Sequence, residues 1–319
     1  MRILFVTANR LGDAVLSTGL LDHLIRGHPD ARITVACGPV AEGVFARMPN
    51  RERTIVLDKL PYRLHWPPFW ASVALTRWDL VVDIRGSTIG WMVPTRRRAV
   101  MRRRPGHKID QLAAVLGLDP APLPVAWTSP VDRVRAATLL PPGRPFIGLG
   151  PTANWAPKTW PAERFAALFQ ALARGPLPEA RPVVFAGPGE AERAMAAPLL
   201  AALRAEFPGT IDLVGCLSLP EVAACLARCA LFAGNDSGLM HLAASAGAPT
   251  LGLFGPTPAV EYAPAGARAI AVLSDSASMQ DLSVETALAA AVRILGVSSP
   301  HPAPRPTSAP ARTSPVLPA

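Results

Sequence analysis

Short, uninterrupted apolar runs alternating with helical stretches constrain this chain more than any other feature. Residues Arg2–Thr7 place Ile3, Leu4, Phe5 and Val6 in succession, the pattern of a central parallel strand covered on both faces. A polar turn, Ala8–Asp13, leads into a helix with Val15, Leu16, Leu20, Leu21, Leu24 and Ile25, which Gly27 and Pro29 stop. Further strands are predicted at Arg32–Ala36, Thr54–Leu57 and Leu80–Ile84. Pro141–Pro145 breaks the series, and a second one follows. Its strands are predicted at Phe146–Leu149, Val183–Ala186, Ile211–Val214, Leu231–Ala233, Thr250–Phe254 and Ala269–Leu273. Helices near Ala162–Ala173, Glu190–Glu206, Leu219–Arg228 and Gly238–Ala246 fit between them. The expected fold class is α/β, with two Rossmann-like domains of mostly parallel sheets at 1–142 and 143–298. A chain of 319 residues, half of them apolar, can fill two such cores. Residues 299–319 hold seven prolines among 21 positions and read as a disordered Pro-rich tail.

The formal net charge of +9 suits an acidic partner: nucleic acid, a phosphorylated substrate or an anionic membrane. Charge alone does not choose among them. Cys37, Cys216, Cys225 and Cys229 form no Cys-x-x-Cys pair, so neither a zinc site nor a disulfide framework is expected, and a reduced, cytoplasmic setting fits. The run Ile3–Val6 is too short for a signal peptide, and no apolar stretch of about 18 residues is present to span a bilayer.

Three turns carry candidate chemistry. Gly234-Asn235-Asp236-Ser237-Gly238-Leu239-Met240-His241 follows a strand and opens a helix. Asp236 and Ser237 suit capping, Gly238 permits close backbone approach, and a helix N-terminus at a strand's carboxyl end binds phosphate. His241 lies one turn in. An ordinary N-cap with a half-buried histidine is the plainer reading. Pro151–Pro161 leaves the second series' first strand with Thr152, able to donate a hydroxyl hydrogen bond, and with Lys158. That lysine sits in a loop with few competing acids and could neutralise a diphosphate, or simply be solvated. Asn9–Asp13 puts Asp13 at a helix start, where a carboxylate can act as general base or merely suit the dipole. Gly187-Pro188-Gly189-Glu190 offers Glu190 to a ribose, and Gly255-Pro256-Thr257 gives another polar loop. Arg96, Arg97, Arg98, Arg102, Arg103, Arg104 and Lys108 crowd into Thr95–Lys108 without an acid, and Tyr62–Trp70 reads YRLHWPPFW. Both read as contacts for an anionic acceptor or a membrane surface, or as a solvated basic loop beside a packed aromatic helix start.

Taken in order, NRLGDAVLST, DIRGS, PTANWAPKTWPAERFAAL, GPGEAE and GNDSGLMHLAASAGAPTLGLFGPT resemble glycosyltransferase family 9, the heptosyltransferases of lipopolysaccharide core synthesis. The resemblance runs to about Leu273. It implies a GT-B fold whose domains face across a cleft, with a nucleotide-sugar donor, typically ADP-heptose, on the C-terminal domain and the acceptor on the N-terminal one. It also implies inverting transfer with no metal and no other cofactor. Asp13 matches the family's general base, Lys158 and Thr152 its diphosphate contacts, and Glu190 its ribose contact. Asp236, Ser237, Gly238 and His241 match its donor segment. Arg10, Arg85 and Arg104 are the candidates for an anionic, lipid-linked glycan acceptor, reached from the inner face of the inner membrane. Two other classes compete. A Rossmann oxidoreductase lacks its Gly-x-Gly-x-x-Gly in the first turn, and a nucleic-acid binder lacks any module around the basic cluster. A glycosyltransferase of this fold using another nucleotide-sugar, or an inactive sugar-binding relative, also stays open.

Overall fold

The computed structural model describes residues 1–102 and 104–296; the stretch expected to be a tail, and Arg103, lie outside them. The first half runs β1 (Arg2–Val6), α1 (Leu11–Gly27), β2 (Arg32–Cys37), β3 (Arg51–Val56), α2 (Trp66–Ala74), β4 (Trp78–Asp83), α3 (Ile89–Met92), β5 (Thr95–Val100), α4 (Lys108–Leu116) and α5 (Pro130–Leu139). The second half runs β6 (Phe146–Gly150), α6 (Ala162–Arg174), β7 (Arg181–Val184), α7 (Glu190–Glu206), β8 (Ile211–Asp212), α8 (Leu219–Leu226), β9 (Leu231–Asn235), α9 (Gly238–Ser245), β10 (Thr250–Phe254), α10 (Ala259–Tyr262), β11 (Ala269–Leu273) and α11 (Val284–Gly296).

Each half builds a parallel sheet, ordered β3-β2-β1-β4-β5 in the first and β11-β10-β9-β6-β7-β8 in the second. The apolar run of β1 serves both faces. Ile3 and Phe5 pack into the core shared with α1, while Leu4 and Val6 join Phe69, Val73 and Ile89 beneath α2 and α3. In both sheets strand order reverses beside the first strand, between β1 and β4 and between β6 and β9. These reversal points are where loops part and leave a crevice at the carboxyl ends of an open sheet. The core that covers α1 continues through α8 and α9, so the halves share buried apolar surface.

Thr95–Val100 corrects the loop reading of the basic stretch: it is an edge strand paired with β4. An edge strand needs only one hydrogen-bonded ladder, so arginines can stand where a central strand needs an apolar run. The strand expected at 183–186 lies two residues earlier, and the one at 211–214 is only Ile211–Asp212. Helices α3, α4, α5, α10 and α11 add to the expected set. A capping box starts α5, with Ser129 and Asp132 exchanging hydrogen bonds, and Arg47 holds the same Asp132 carboxylate at 2.9 Å.

Candidate active site

The two crevices face one another where the N-termini of α1 and α9 meet. A methyl on Gly12 would come within 2.9 Å of the His241 ring, and one on Gly238 within 2.6 Å of Leu11. Only glycine at both positions lets the helix starts approach this closely. Asp13, in the first turn of α1, and His241, in the first turn of α9, therefore belong to one junction although they stand in different halves of the sequence.

On the second sheet, Asn235 at the end of β9 organises the loop after β6. Its side-chain amide donates to the Pro151 carbonyl at 2.8 Å and its carbonyl accepts from Trp160 N–H at 3.0 Å. Both ends of the Pro151–Trp160 loop are thus tied to the neighbouring strand. Trp160 is fully buried, edge-on to Phe165, and its indole N–H donates to the Leu282 carbonyl. Between these anchors, Lys158 points back and its ammonium meets the Asp236 carboxylate at 2.6 Å, both side chains being largely buried. The sequence reading gave Lys158 few competing acids in its own loop; the acid it meets comes from just past the end of β9 instead. An ammonium carries three N–H donors, and the pairing with Asp236 uses one of them. Thr152 is buried at the start of the same loop.

Helix α9 is not capped as expected either. Ser237 occupies the N-cap position, yet no side chain accepts from the first turn, and Asp236 is turned to Lys158 instead. An open helix start at a sheet reversal leaves N–H groups and a positive dipole end facing the crevice.

Five buried side-chain polar atoms lack a hydrogen-bond partner among the described residues. Four of them belong to Asp13, Ser237, His241 and Thr257, which stand at these loop ends; the fifth, Thr34, lies within β2. Burial raises the Asp13 carboxyl above the ordinary carboxylate value, against the pull of the Lys108 and Arg10 charges. Burial also depresses the His241 imidazole, to about 4, so the ring is neutral at physiological pH despite the nearby Asp236. From α10, Tyr262 is pushed up to about 12, first by burial and then by the Asp13 charge, and remains a hydroxyl donor.

The remaining candidates divide. Arg10 is exposed at the start of α1. Arg85 reaches the first turn directly: its guanidinium donates to the Asn9 side-chain carbonyl at 3.0 Å and lies over Trp66 at 5.2 Å. The loop carrying Arg85 is folded around buried Asp83, which accepts from Arg85 N–H, Ser87 N–H and the Ser87 hydroxyl. Arg104 stands further out, on a cavity of about 670 Å³ that Arg98, Arg102, Gln111, Trp91 and Gly86 also line. Glu190 is the exposed first residue of α7, after β7, the strand next to β6. Sequence reasoning gave no role to Asn235 or Tyr262, and read Lys108 only as part of the basic stretch, not as a charge acting on Asp13. Asn235 was legible in kind, as an amide ending a buried strand; Lys108 and Tyr262 act through tertiary placement and had no local signal.

Comparison with known proteins follows the same outline. The family model described as glycosyltransferase family 9 (heptosyltransferase) matches residues 106–291. Lipopolysaccharide heptosyltransferase 2 of Salmonella typhimurium is 35% identical over 300 residues, covering 81% of this chain and 83% of the relative. Lipooligosaccharide heptosyltransferase 2 of Haemophilus influenzae is 25% identical, covering 83% and 86%. Among solved structures, a family 9 glycosyltransferase from Veillonella parvula superposes with a TM-score of 0.78 at 24% identity, over 93% of this chain and 97% of that one. The ADP-heptose lipopolysaccharide heptosyltransferase II of Escherichia coli gives 0.73 at 22%, over 92% and 98%. The architecture is GT-B.

Proposed function

The chain belongs to glycosyltransferase family 9, and we propose that it transfers heptose from ADP-heptose to an anionic, lipid-linked acceptor of lipopolysaccharide core synthesis, with inversion and without a metal. The carrying observation is the meeting of the α1 and α9 starts, which brings Asp13 of one half beside Ser237 and His241 of the other, with the Lys158–Asp236 pair next to them.

In this reading the donor diphosphate sits at the start of α9. Lys158 and the free N–H groups there carry the charge that develops on the leaving group, the stabilisation a bound cation supplies in other transferases. Thr152, Ser237 and His241 add neutral contacts, and Glu190 lies on the side of the ribose. Asp236 aims Lys158. The acceptor hydroxyl oxygen attacks the anomeric carbon from the side opposite the diphosphate. The new C–O bond forms as the bond to the diphosphate oxygen breaks, and the hydroxyl proton passes to Asp13. Arg10, Arg85 and Arg104 receive the acceptor's anionic groups. A lipid-linked acceptor places this work at the inner face of the inner membrane.

A thermal-shift panel of ADP, GDP, UDP, CDP, ADP-heptose and NADH, with EDTA throughout, tests the donor. A ligand at 100 times its Kd stabilises a fold by about 2.7 kcal/mol. Selective shifts with ADP and ADP-heptose are expected. A shift with another nucleoside diphosphate replaces the donor, and one with NADH alone removes the transferase mechanism drawn here. The anomeric configuration of the product, read by NMR, tests inversion.

A further inference from the structure

We infer that the outer face of the first half, formed by the loop 57–65 with α2 and α3, docks on an anionic lipid bilayer; the inference gives the proposed transferase its partner surface.

Charge is the first observation. Twelve of the 32 Lys and Arg residues but only four of the 23 acids fall in residues 51–104, so this stretch carries +8 of the chain's +9. The fold then arranges it. Helices α2 and α3 cover one face of the first sheet, and arginines flank them on both edges. On the β3 side Arg53 donates to the Ser72 carbonyl of α2 at 2.9 Å. On the β5 side Arg96 pairs with Asp79 at 3.4 Å, and Arg98 lies over the Trp91 ring at 5.0 Å.

Between the arginines the surface is apolar and open. Tyr62 is 95% exposed, Leu64 57%, Trp91 62% and Met92 56%. The indole N–H of Trp70 donates to the Met92 carbonyl at 3.0 Å, which joins α2 and α3 into one surface. Exposed aromatic and aliphatic side chains inside a frame of cations match the interfacial zone of an anionic bilayer, where rings sit at headgroup depth and arginines meet phosphate. Aliphatic Leu64 and Met92 offer nucleic-acid bases nothing to stack on. No helix of the described residues is long and apolar enough to cross a membrane.

Position supports the same partner. Trp66, at the start of α2, carries Arg85 on its ring, and Arg85 holds Asn9 in the turn that leads to Asp13. A glycan whose lipid stays in the bilayer could therefore reach the junction from this side.

Co-sedimentation of the full chain with vesicles of phosphatidylglycerol and phosphatidylcholine, against phosphatidylcholine alone, tests the surface. Binding to the anionic vesicles that weakens with salt is expected. Tyr62→Ser with Leu64→Ser, and separately Arg53→Glu with Arg96→Glu, should each lower the partition coefficient at least tenfold. The melting temperature without ligand should stay near the wild-type value in both, which certifies the fold. The inference is overturned if the wild-type chain ignores anionic vesicles or if both variants bind as it does. It is equally overturned if the Tyr62 and Leu64 changes abolish only self-association, which would make the face a contact between copies. The vesicles contain neither donor nor acceptor, so this result and the transferase reading stand or fall separately.

Discussion

Asp13 combines two properties that pull apart. A buried carboxylate without a partner on one oxygen is a stronger base than a solvated one, and it also costs the folded state stability when ionised. Because its folded pKa is raised, no penalty exists below the unfolded value, and stability is lost as pH rises through the folded value. Asp13→Asn should therefore melt above the wild-type protein at pH 7 to 8 while turnover falls by about 10²- to 10⁴-fold. Differential scanning calorimetry alongside initial rates decides it; a variant that is slow and also less stable would make Asp13 structural. His241 has the opposite sign. Its folded pKa lies near 4, below the ordinary value of about 6.5. The unfolded chain binds a proton in that interval that the folded chain does not, so His241 erodes stability as pH falls from about 6.5 toward 4. In urea titrations across this interval, His241→Gln should flatten the wild-type slope; an unchanged slope would mean another group dominates. Neither environment is visible in the sequence, because both arise where helix starts from opposite halves touch. The Lys158–Asp236 pair is of the same kind: its members stand 78 positions apart, and nothing near Lys158 in the chain announces an acid.

Elements were legible in proportion to how fully they are buried. Strands β1, β6, β9 and β10 are continuous apolar runs enclosed on both faces, and sequence reading finds them to within two residues. Helix α9 was legible because a strand, an Asp-Ser-Gly turn and an apolar helix follow in order. By contrast, β5 lay hidden because edge arginines carry no periodic apolar signal. The loop between β6 and α6 could be recognised as functional but not shaped, since its conformation is imposed by Asn235 from the adjacent strand. Asn235→Ala tests that dependence. It leaves the Pro151 carbonyl and the Trp160 N–H unpaired in a buried site, a loss of about 2 kcal/mol or more. Lys158 then loses its fixed aim, so donor KM should rise more than tenfold. Urea unfolding and donor KM are measured together; lost stability with unchanged KM would separate Asn235 from the placement of Lys158.

At the scale of the molecule, the candidate site exists only because the starts of α1 and α9, one from each half, meet. The halves share one buried apolar layer through α1, α8 and α9, and the His107 ring meets the Ala263 carbonyl at 2.9 Å across the join. Each half alone is a Rossmann-like sheet of a kind that serves many functions; the junction decides which. Gly238 isolates that contribution. It is the first residue of α9, where alanine suits a helix better than glycine by up to about 1 kcal/mol, so Gly238→Ala should not weaken α9 itself. What the added methyl meets is Leu11 of the other half, at 2.6 Å. The substitution should thus lower the melting temperature, overpacking of this kind costing about 1–3 kcal/mol, and slow transfer at least tenfold, by holding Asp13 away from the donor. Leu11→Ala in the same chain removes the obstructing side chain and should restore most of the rate. If the double variant stays as slow as the single one, the fault lies within α9 or its N–H groups, and the close approach of the two halves is not what the reaction needs.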